Sequence, residues 1–175
     1  MITMLSKDAA LEYLENQQRW EETITYCEQK WLRTPNCDSL LRLMSQAWFL
    51  CAYIEQLSPY NGNPLCVSFN YIRSTSLLCN TLKEGDSKYS DEIAYLCLTG
   101  HMMKTLPEFF VSEEMNYYDV RRSGLTRLKQ TYDRNQMLGE LFCDNRKHIS
   151  FDEANQLFPG NSEVDLYFKS LFSME

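Results

Sequence analysis

The sequence predicts an all-α protein, a compact bundle of about eight or nine helices stacked as irregular antiparallel pairs. Apolar residues recur every three or four positions along most of the chain, which is the spacing of helices buried on one face. Gly and Pro are scarce, six and five among 175 residues, which disfavours the many tight turns of a β-sandwich. Convincing strand-like alternation is absent. Since this length suits one domain, we expect residues 1–175 to form a single helical domain.

Two helices are predicted at the start of the chain. The first follows an N-cap at Ser6, has an acid in its first turn and runs to about Gln17. The second begins at Trp20 or Glu21 and ends at Arg33, because the proline two residues later disfavours helix in the residue before it.

The next two predicted helices are longer. Asn36 or Asp38 caps the third. Its predicted buried stripe is Leu40, Leu41, Met44, Trp48 and Cys51. The fourth has Asn63 as its cap and Pro64 in its first position, and it is expected to stop before Glu84. Its predicted apolar positions are Leu65, Phe69, Ile72, Leu77 and Leu78.

Two further helices flank a break at Pro107. The fifth is expected to open at Ser90, where two acids follow the serine. Ser112 is expected to cap the sixth, which then begins with Glu113 and Glu114. Both acidic pairs would lie at helix N-termini, where the helix dipole favours negative charge.

The sixth helix contains a glycine, and three short helices follow it. Gly124 costs about 1 kcal/mol of helix stability relative to Ala, so we expect close packing or a bend there. Asn135 begins the seventh helix, and Ser150 caps the eighth. Ser162 and Asp165 form an acidic variant of the capping box that opens the last one.

The net charge of −7 restricts the classes of partner. A negative surface repels phosphate, so we expect neither direct nucleic-acid binding nor membrane association. It attracts a basic partner protein, although modest charge also serves solubility alone. Seven cysteines, an odd and irregularly spaced set without a CxxC pair, indicate free thiols in a reducing cytoplasm. The first residues do not resemble a signal peptide, and the apolar runs are too short to span a bilayer.

One segment resembles a tetratricopeptide repeat. Residues 20–36 match the second helix of that repeat, and the next helix continues the pattern with apolar, small and aromatic sites. The matching residues are Trp20, Thr23, Ile24, Pro35 and Asn36, then Leu41, Met44, Ser45 and Trp48. Gln18 stands where the repeat has its turn glycine, and only a weaker echo follows at 91–135. The resemblance implies stacked helix pairs rather than a regular solenoid.

A second resemblance covers residues 94–110, where Gly100 and Pro107 precede two phenylalanines. It is similar to a signature of short bacterial helical proteins, many of which resemble immunity proteins of contact-dependent growth inhibition and related toxin systems. That resemblance implies a cytoplasmic protein that binds and neutralises a cognate toxin. The same residues also fit a purely structural reading, in which the glycine permits close helix packing and the proline ends a helix.

The sequence predicts no catalytic residue, no metal ligand and no cofactor. Cys97 and His101, four residues apart on a helix, could form a nucleophile pair, but a seven-cysteine helical protein yields such a pair by chance. Residues 142–153 partly fit a calcium-binding loop that ends at Glu153. Arg146 and Lys147 stand where that loop needs an oxygen ligand and a glycine, so capping of a helix is the better interpretation.

The favoured hypothesis is a monomeric, non-catalytic inhibitor of a basic protein toxin, with a nuclease domain as the expected target. Its predicted contact residues are Tyr60, Tyr89, Asp91, Glu92, Glu113, Glu114, Tyr117 and Tyr118. The alternative is a tetratricopeptide-type scaffold or secretion chaperone that binds a peptide, which a groove lined by Asn and Lys would favour. An enzyme is the third possibility, and a deep pocket with converging titratable groups would indicate it.

Overall fold

Helices follow one another with short connections throughout the described part of the chain. The computed structural model describes residues 2–57, 70–143 and 147–173. Within these ranges there are nine α-helices and a short 3₁₀ helix at Pro107–Phe110, with one isolated bridge between Ile149 and Ser173 in place of any strand. The α-helices are α1 (Ala9–Asn16), α2 (Trp20–Arg33), α3 (Cys37–Leu57), α4 (Tyr71–Lys88), α5 (Ile93–Thr105), α6 (Tyr117–Arg134), α7 (Gln136–Cys143), α8 (Phe151–Leu157) and α9 (Glu163–Phe172). The predicted all-α class is confirmed.

The central helix is α3, which packs against α2, α4, α5 and α9. All five residues of its predicted stripe, from Leu40 to Cys51, are buried. Thr23 and Ser45, at the small-residue sites, are also buried, as is Trp48 at the aromatic site. None of the helices within the described ranges is long and apolar enough to cross a membrane.

The cap of α1 differs from the prediction, and the cap of α3 is one of the two predicted residues. Asp8, not Ser6, caps α1, because its carboxylate accepts a hydrogen bond from the Leu11 amide at 3.1 Å. Ser6 instead donates its amide and its hydroxyl to Asp38, at 2.8 and 2.5 Å. Because Asp38 binds Ser6, it does not cap α3. The side chain of Asn36 accepts a hydrogen bond from the Ser39 amide instead and is the cap of α3. The contact between Ser6 and Asp38, which are distant in sequence, therefore removes one candidate cap from each of the two helices.

Helix α4 begins and ends at other residues than predicted. It begins at Tyr71 after an Asn70 cap and continues to Lys88, so the predicted stop before Glu84 is wrong. Ile72 is 81% exposed instead of buried, because it lies six positions before the buried Leu78 and thus on a different face of the helix. The predicted start and the first apolar positions of this helix, at 63–69, lie outside the described residues.

Helices α5 and α6 pack closely at two glycines. A Cβ atom added to Gly124 would lie 2.8 Å from the Lys104 amide nitrogen and 2.9 Å from the Gly100 carbonyl oxygen. Real Cβ atoms essentially never approach backbone atoms so closely. The close packing predicted at Gly124 is therefore confirmed.

The start of α6 is four residues later than predicted. Asn116 is its cap, since the side-chain oxygen accepts from the amides of Tyr118 and Asp119 at 2.9 and 3.1 Å. Ser112 is not the cap, and Glu113 and Glu114 belong to the preceding loop. Similarly, α5 begins at Ile93 rather than at Ser90, after a Glu92 whose side chain makes no capping hydrogen bond.

The last helices follow the predicted capping pattern. Asn135 precedes α7, and Ser150 and Ser162 each form the expected capping box with the residue three positions later. Helix α9 is joined to α3 by a fully buried ion pair, in which Arg42 donates to both carboxylate oxygens of Asp165 at 3.1 Å.

Candidate protein-binding surface

The predicted contact residues fall into two groups at opposite ends of the α5–α6 pair. One group, at residues 113–118, precedes and begins α6. The other, at residues 89–92, precedes α5 and lies near the last turn of α6, because Asp91 pairs with Arg134. Helix α6 has 18 residues and is therefore about 25 Å long, so the groups form two surfaces. Tyr60 lies outside the described residues.

The first group presents two tyrosine rings to solvent. The side chain of Tyr118 is 75% exposed, and Tyr117 is exposed beside it with its ring edge-on at a centroid distance of 5.5 Å. Both rings are large, carry a polar hydroxyl and have few rotatable bonds, which suits them as anchors in a protein interface. We call residues 113–118 the acidic tyrosine segment.

The two acids of this segment have no role in capping a helix. Glu113 and Glu114 are exposed in the loop before the Asn116 cap, so the helix dipole does not account for them. Glu114 accepts from the Lys83 ammonium group at 2.8 Å, whereas Glu113 makes no ion pair with any residue in the described ranges. An exposed acid without a structural role is free to contact a basic partner.

A groove of about 560 Å³ separates α4 from the loop that leads into this segment. One wall consists of the α4 residues Thr75, Ser76, Cys79, Asn80 and Lys83, and the other consists of residues 111–114. Ile72 lies one turn before Ser76 on the same face of α4, so its exposed apolar side chain is next to the end of the polar groove. This groove is not predicted from the sequence, although Ser76, Asn80 and Lys83 have the spacing of one helix face.

The thiol in the groove is suited to packing rather than to nucleophilic chemistry. Burial raises the pKa of Cys79, and the nearby Lys83 only partly offsets this effect. The Sγ atom lies 3.9 and 3.8 Å from the carbonyl oxygens of Phe109 and Val111, to which a thiol can donate weakly. Since the thiolate is the nucleophile, a protonated Cys79 gives the groove little reactivity.

The second group is engaged in ion pairs with α6. The carboxylate of Asp91 lies 3.1 Å from Arg134, and Asp86 lies 2.7 Å from Arg127. Tyr89 is half-buried against the core, while Glu92 is exposed. Of the three predicted contact residues at this end, Asp91 therefore pairs with α6 and Tyr89 is partly covered by the core, while Glu92 is the one without such a contact in the described ranges.

The Cys97–His101 pair lacks the properties of a nucleophile and its base. Burial raises the pKa of Cys97 to about 12 and lowers that of His101 to about 3. The two side chains also have different partners, since Cys97 contacts the Thr131 hydroxyl at 3.7 Å and His101 lies 3.1 Å from the Tyr167 hydroxyl. A neutral thiol next to an imidazole that resists protonation does not form the ion pair of a thiol hydrolase.

The calcium-loop interpretation also fails on local structure. Phe142, which would occupy the first ligand position, is fully buried within α7. Glu153 accepts from the amide and hydroxyl of Ser150 at 2.9 and 2.8 Å as part of the capping box. Across the residues that the structure describes, no three His, Cys, Asp or Glu side chains are placed to hold a metal ion.

No protein family, no curated protein and no solved structure matches this chain, so its function has to be argued from the surfaces described above.

Proposed function

We propose that this protein is a non-catalytic inhibitor that binds a basic protein toxin, in the manner of the immunity proteins that its sequence resembles. The observation that carries the proposal is the acidic tyrosine segment. It combines two exposed acids that have no capping role with two exposed tyrosine rings. Anchoring aromatics beside complementary charges are the usual contents of a tight protein interface.

The expected target is a nuclease domain. Such a domain holds nucleic-acid phosphates with Lys and Arg side chains, so its cleft is positively charged. Glu113, which makes no ion pair within the described ranges, would pair with those side chains, and the chain's net charge of −7 would speed the encounter at low salt. Inhibition then follows from covering the cleft, without any chemical step in the inhibitor.

The protonation states of the inner side chains support a binding role. The thiols of Cys27, Cys51 and Cys97 have pKa values raised by burial to about 12. The imidazole of His101 is neutral near pH 7, because burial lowers its pKa to about 3. Groups held in these states supply neither an activated nucleophile nor a base poised near neutral pH.

The groove beside α4 favours a second candidate, a scaffold that binds an extended peptide. Asn80 and Lys83 line it, and these are residue types that hydrogen-bond a peptide backbone and its carboxylates. Lys83, however, already pairs with Glu114 across the groove, so a peptide carboxylate would have to displace that contact. For this reason the inhibitor remains the main proposal.

The test is co-expression with the toxin domain encoded by the neighbouring gene. The inhibitor proposal expects the two chains to co-purify and the cells to survive. Replacing Glu113→Lys and Tyr118→Ala together should abolish protection, while Asp133→Lys, an exposed acid at the other end of α6, should leave it intact. Cells that die and chains that do not co-purify contradict the proposal. Binding that is lost in Asn80→Ala but retained in Tyr118→Ala favours the peptide scaffold.

A further inference from the structure

Helix α6 exposes a regular stripe of side chains on the face turned away from α5. Positions spaced alternately four and three residues apart carry apolar and basic residues in turn. We call this stripe the α6 seam, and its members are Tyr118, Arg122, Leu125, Lys129 and Tyr132. All five are exposed, including Leu125, whose side chain is 49% exposed in the middle of the stripe. The opposite face, with Val120 and Leu128, is buried against the bundle.

The charge of α6 is opposite in sign to that of the whole protein. It has five Arg or Lys residues and two Asp residues, in a chain whose net charge is −7. Arg127 and Arg134 are neutralised by acids of the neighbouring segments. Arg122 reaches Asp119 only at 3.9 Å, and Lys129 has no ion pair within the described ranges. Arg121 is also exposed without an ion pair in the described ranges, but it lies beside the seam and not on it. Of the three basic residues that are not closely paired, two are therefore members of the seam.

We propose that the α6 seam docks an acidic amphipathic helix of a partner protein. Spacings of four and three are those of the core positions through which two helices pack side by side. The partner helix would place apolar residues against Leu125 and the tyrosines, and Asp or Glu against Arg122 and Lys129. The aliphatic parts of the basic side chains would cover the apolar contacts while their charged ends meet the acids. From Tyr118 to Tyr132 the seam is about 21 Å long, or two heptads.

The composition of the seam argues against other occupants. A second copy of the chain, paired seam to seam, would bring Arg122 and Lys129 against the same residues of the partner. A nucleic acid could stack bases on the tyrosines, but it offers no apolar group to Leu125 between them. An anionic membrane would be repelled by the net charge of −7, and one leucine between two tyrosines provides little area for insertion.

This surface is separate from the proposed toxin-binding surface. The two have opposite charges and share only Tyr118, so a helix and a toxin would compete for that ring while the rest of the seam lies outside the acidic tyrosine segment. Leu125 and Lys129 therefore provide the decisive variants, because neither belongs to that segment.

The test uses a fluorescein-labelled peptide of three heptads, with Leu and Glu alternating at the seam-facing positions and Ala, Gln and Glu elsewhere. Anisotropy titration of the full chain should give saturable binding in the micromolar range, a typical strength for a small interface. Raising the salt from low to physiological concentration should weaken it several-fold, since exposed charges contribute. Leu125→Glu should weaken it at least tenfold and Lys129→Gln about threefold. Leu32→Glu, at a leucine that is 67% exposed on α2, is the matched control and should bind as the wild type does.

Three results would overturn the proposal, provided that circular dichroism shows the variants to be folded. One is the absence of saturable binding, and another is an equal affinity of the Leu125→Glu and Leu32→Glu proteins. The third is tighter binding of a comparison probe: the same peptide with Lys in place of Glu, a single-stranded oligonucleotide, or vesicles of anionic phospholipid. Each comparison probe would identify the class of ligand that replaces the acidic helix.

Discussion

Replacing Gly124 with alanine distinguishes two opposite effects on stability, the gain from higher helix propensity and the loss from disturbed helix packing. In an exposed helix this change stabilises by about 1 kcal/mol. At the α5–α6 contact the new Cβ would lie 2.8, 2.9 and 3.0 Å from the Lys104 nitrogen, the Gly100 oxygen and the Met103 carbonyl carbon, all of them backbone atoms. Rotating a side chain cannot relieve these contacts, so the helices must move apart. Overpacking of this kind costs up to about 3 kcal/mol, which leaves a net loss of about 2 kcal/mol.

Urea unfolding followed by circular dichroism measures this difference. With a slope of about 2 kcal/mol per molar urea, the Gly124→Ala midpoint should fall by about 1 M. Thr126→Ala, at an exposed position on the same helix, is the control and should leave the midpoint unchanged or slightly raised. A Gly124→Ala midpoint equal to or above that of the wild type would refute the packing argument, because propensity alone would then account for the result.

Three further predictions follow from the buried polar groups and thiols. The folded Glu15 carboxyl has a pKa of about 7, chiefly because burial raises it, so it keeps its proton between pH 4.5 and 7 while the unfolded carboxyl ionises. Rising pH should therefore destabilise the wild type relative to Glu15→Gln by up to about 3 kcal/mol across this window, and parallel stability curves of the two proteins would contradict this. Arg42→Met should lower the free energy of unfolding by about 3–5 kcal/mol, since it leaves the Asp165 carboxylate buried without its partner, and a loss below about 1 kcal/mol in urea unfolding would show that the pair is dispensable. Iodoacetamide labelling of the native protein, read by peptide mass spectrometry, should modify Cys143 first among the cysteines in the described ranges, because it is exposed. Faster labelling of one of the buried thiols, which are Cys27, Cys51 and Cys97, would contradict the structure.

Local sequence determined some helix ends, and tertiary contacts determined others. The Ser150 and Ser162 boxes were predictable, because both partners of each box lie within four residues. The cap of α1 was not, since Asp8 is also held by the Lys30 ammonium group at 2.7 Å and by the Tyr26 hydroxyl at 2.9 Å. These partners are about twenty residues away along the chain, so the residues next to Asp8 do not indicate them.

The candidate surface was predictable only in part. Tyr117 and Tyr118 were named from the sequence as contact residues, and the structure places them at the start of α6 with both rings exposed. The role of the adjacent acids was misjudged, because the Asn116 cap moved the helix start beyond them. The groove was missed because it depends on how α4 packs against residues about thirty positions later in the chain.

The central claim is that the acidic tyrosine segment binds a basic protein, and isothermal titration calorimetry tests it most directly. The purified chain would be titrated with a catalytically inactive form of the toxin domain encoded by the neighbouring gene. The account predicts one-to-one binding, an affinity at least tenfold lower for Tyr118→Ala, and a several-fold loss for Glu113→Lys that shrinks as salt is raised. Asp133→Lys should stay within about twofold of the wild type, because an exposed acid outside the interface contributes little. Equal affinities for all four proteins, or no heat of binding at all, would contradict the claim.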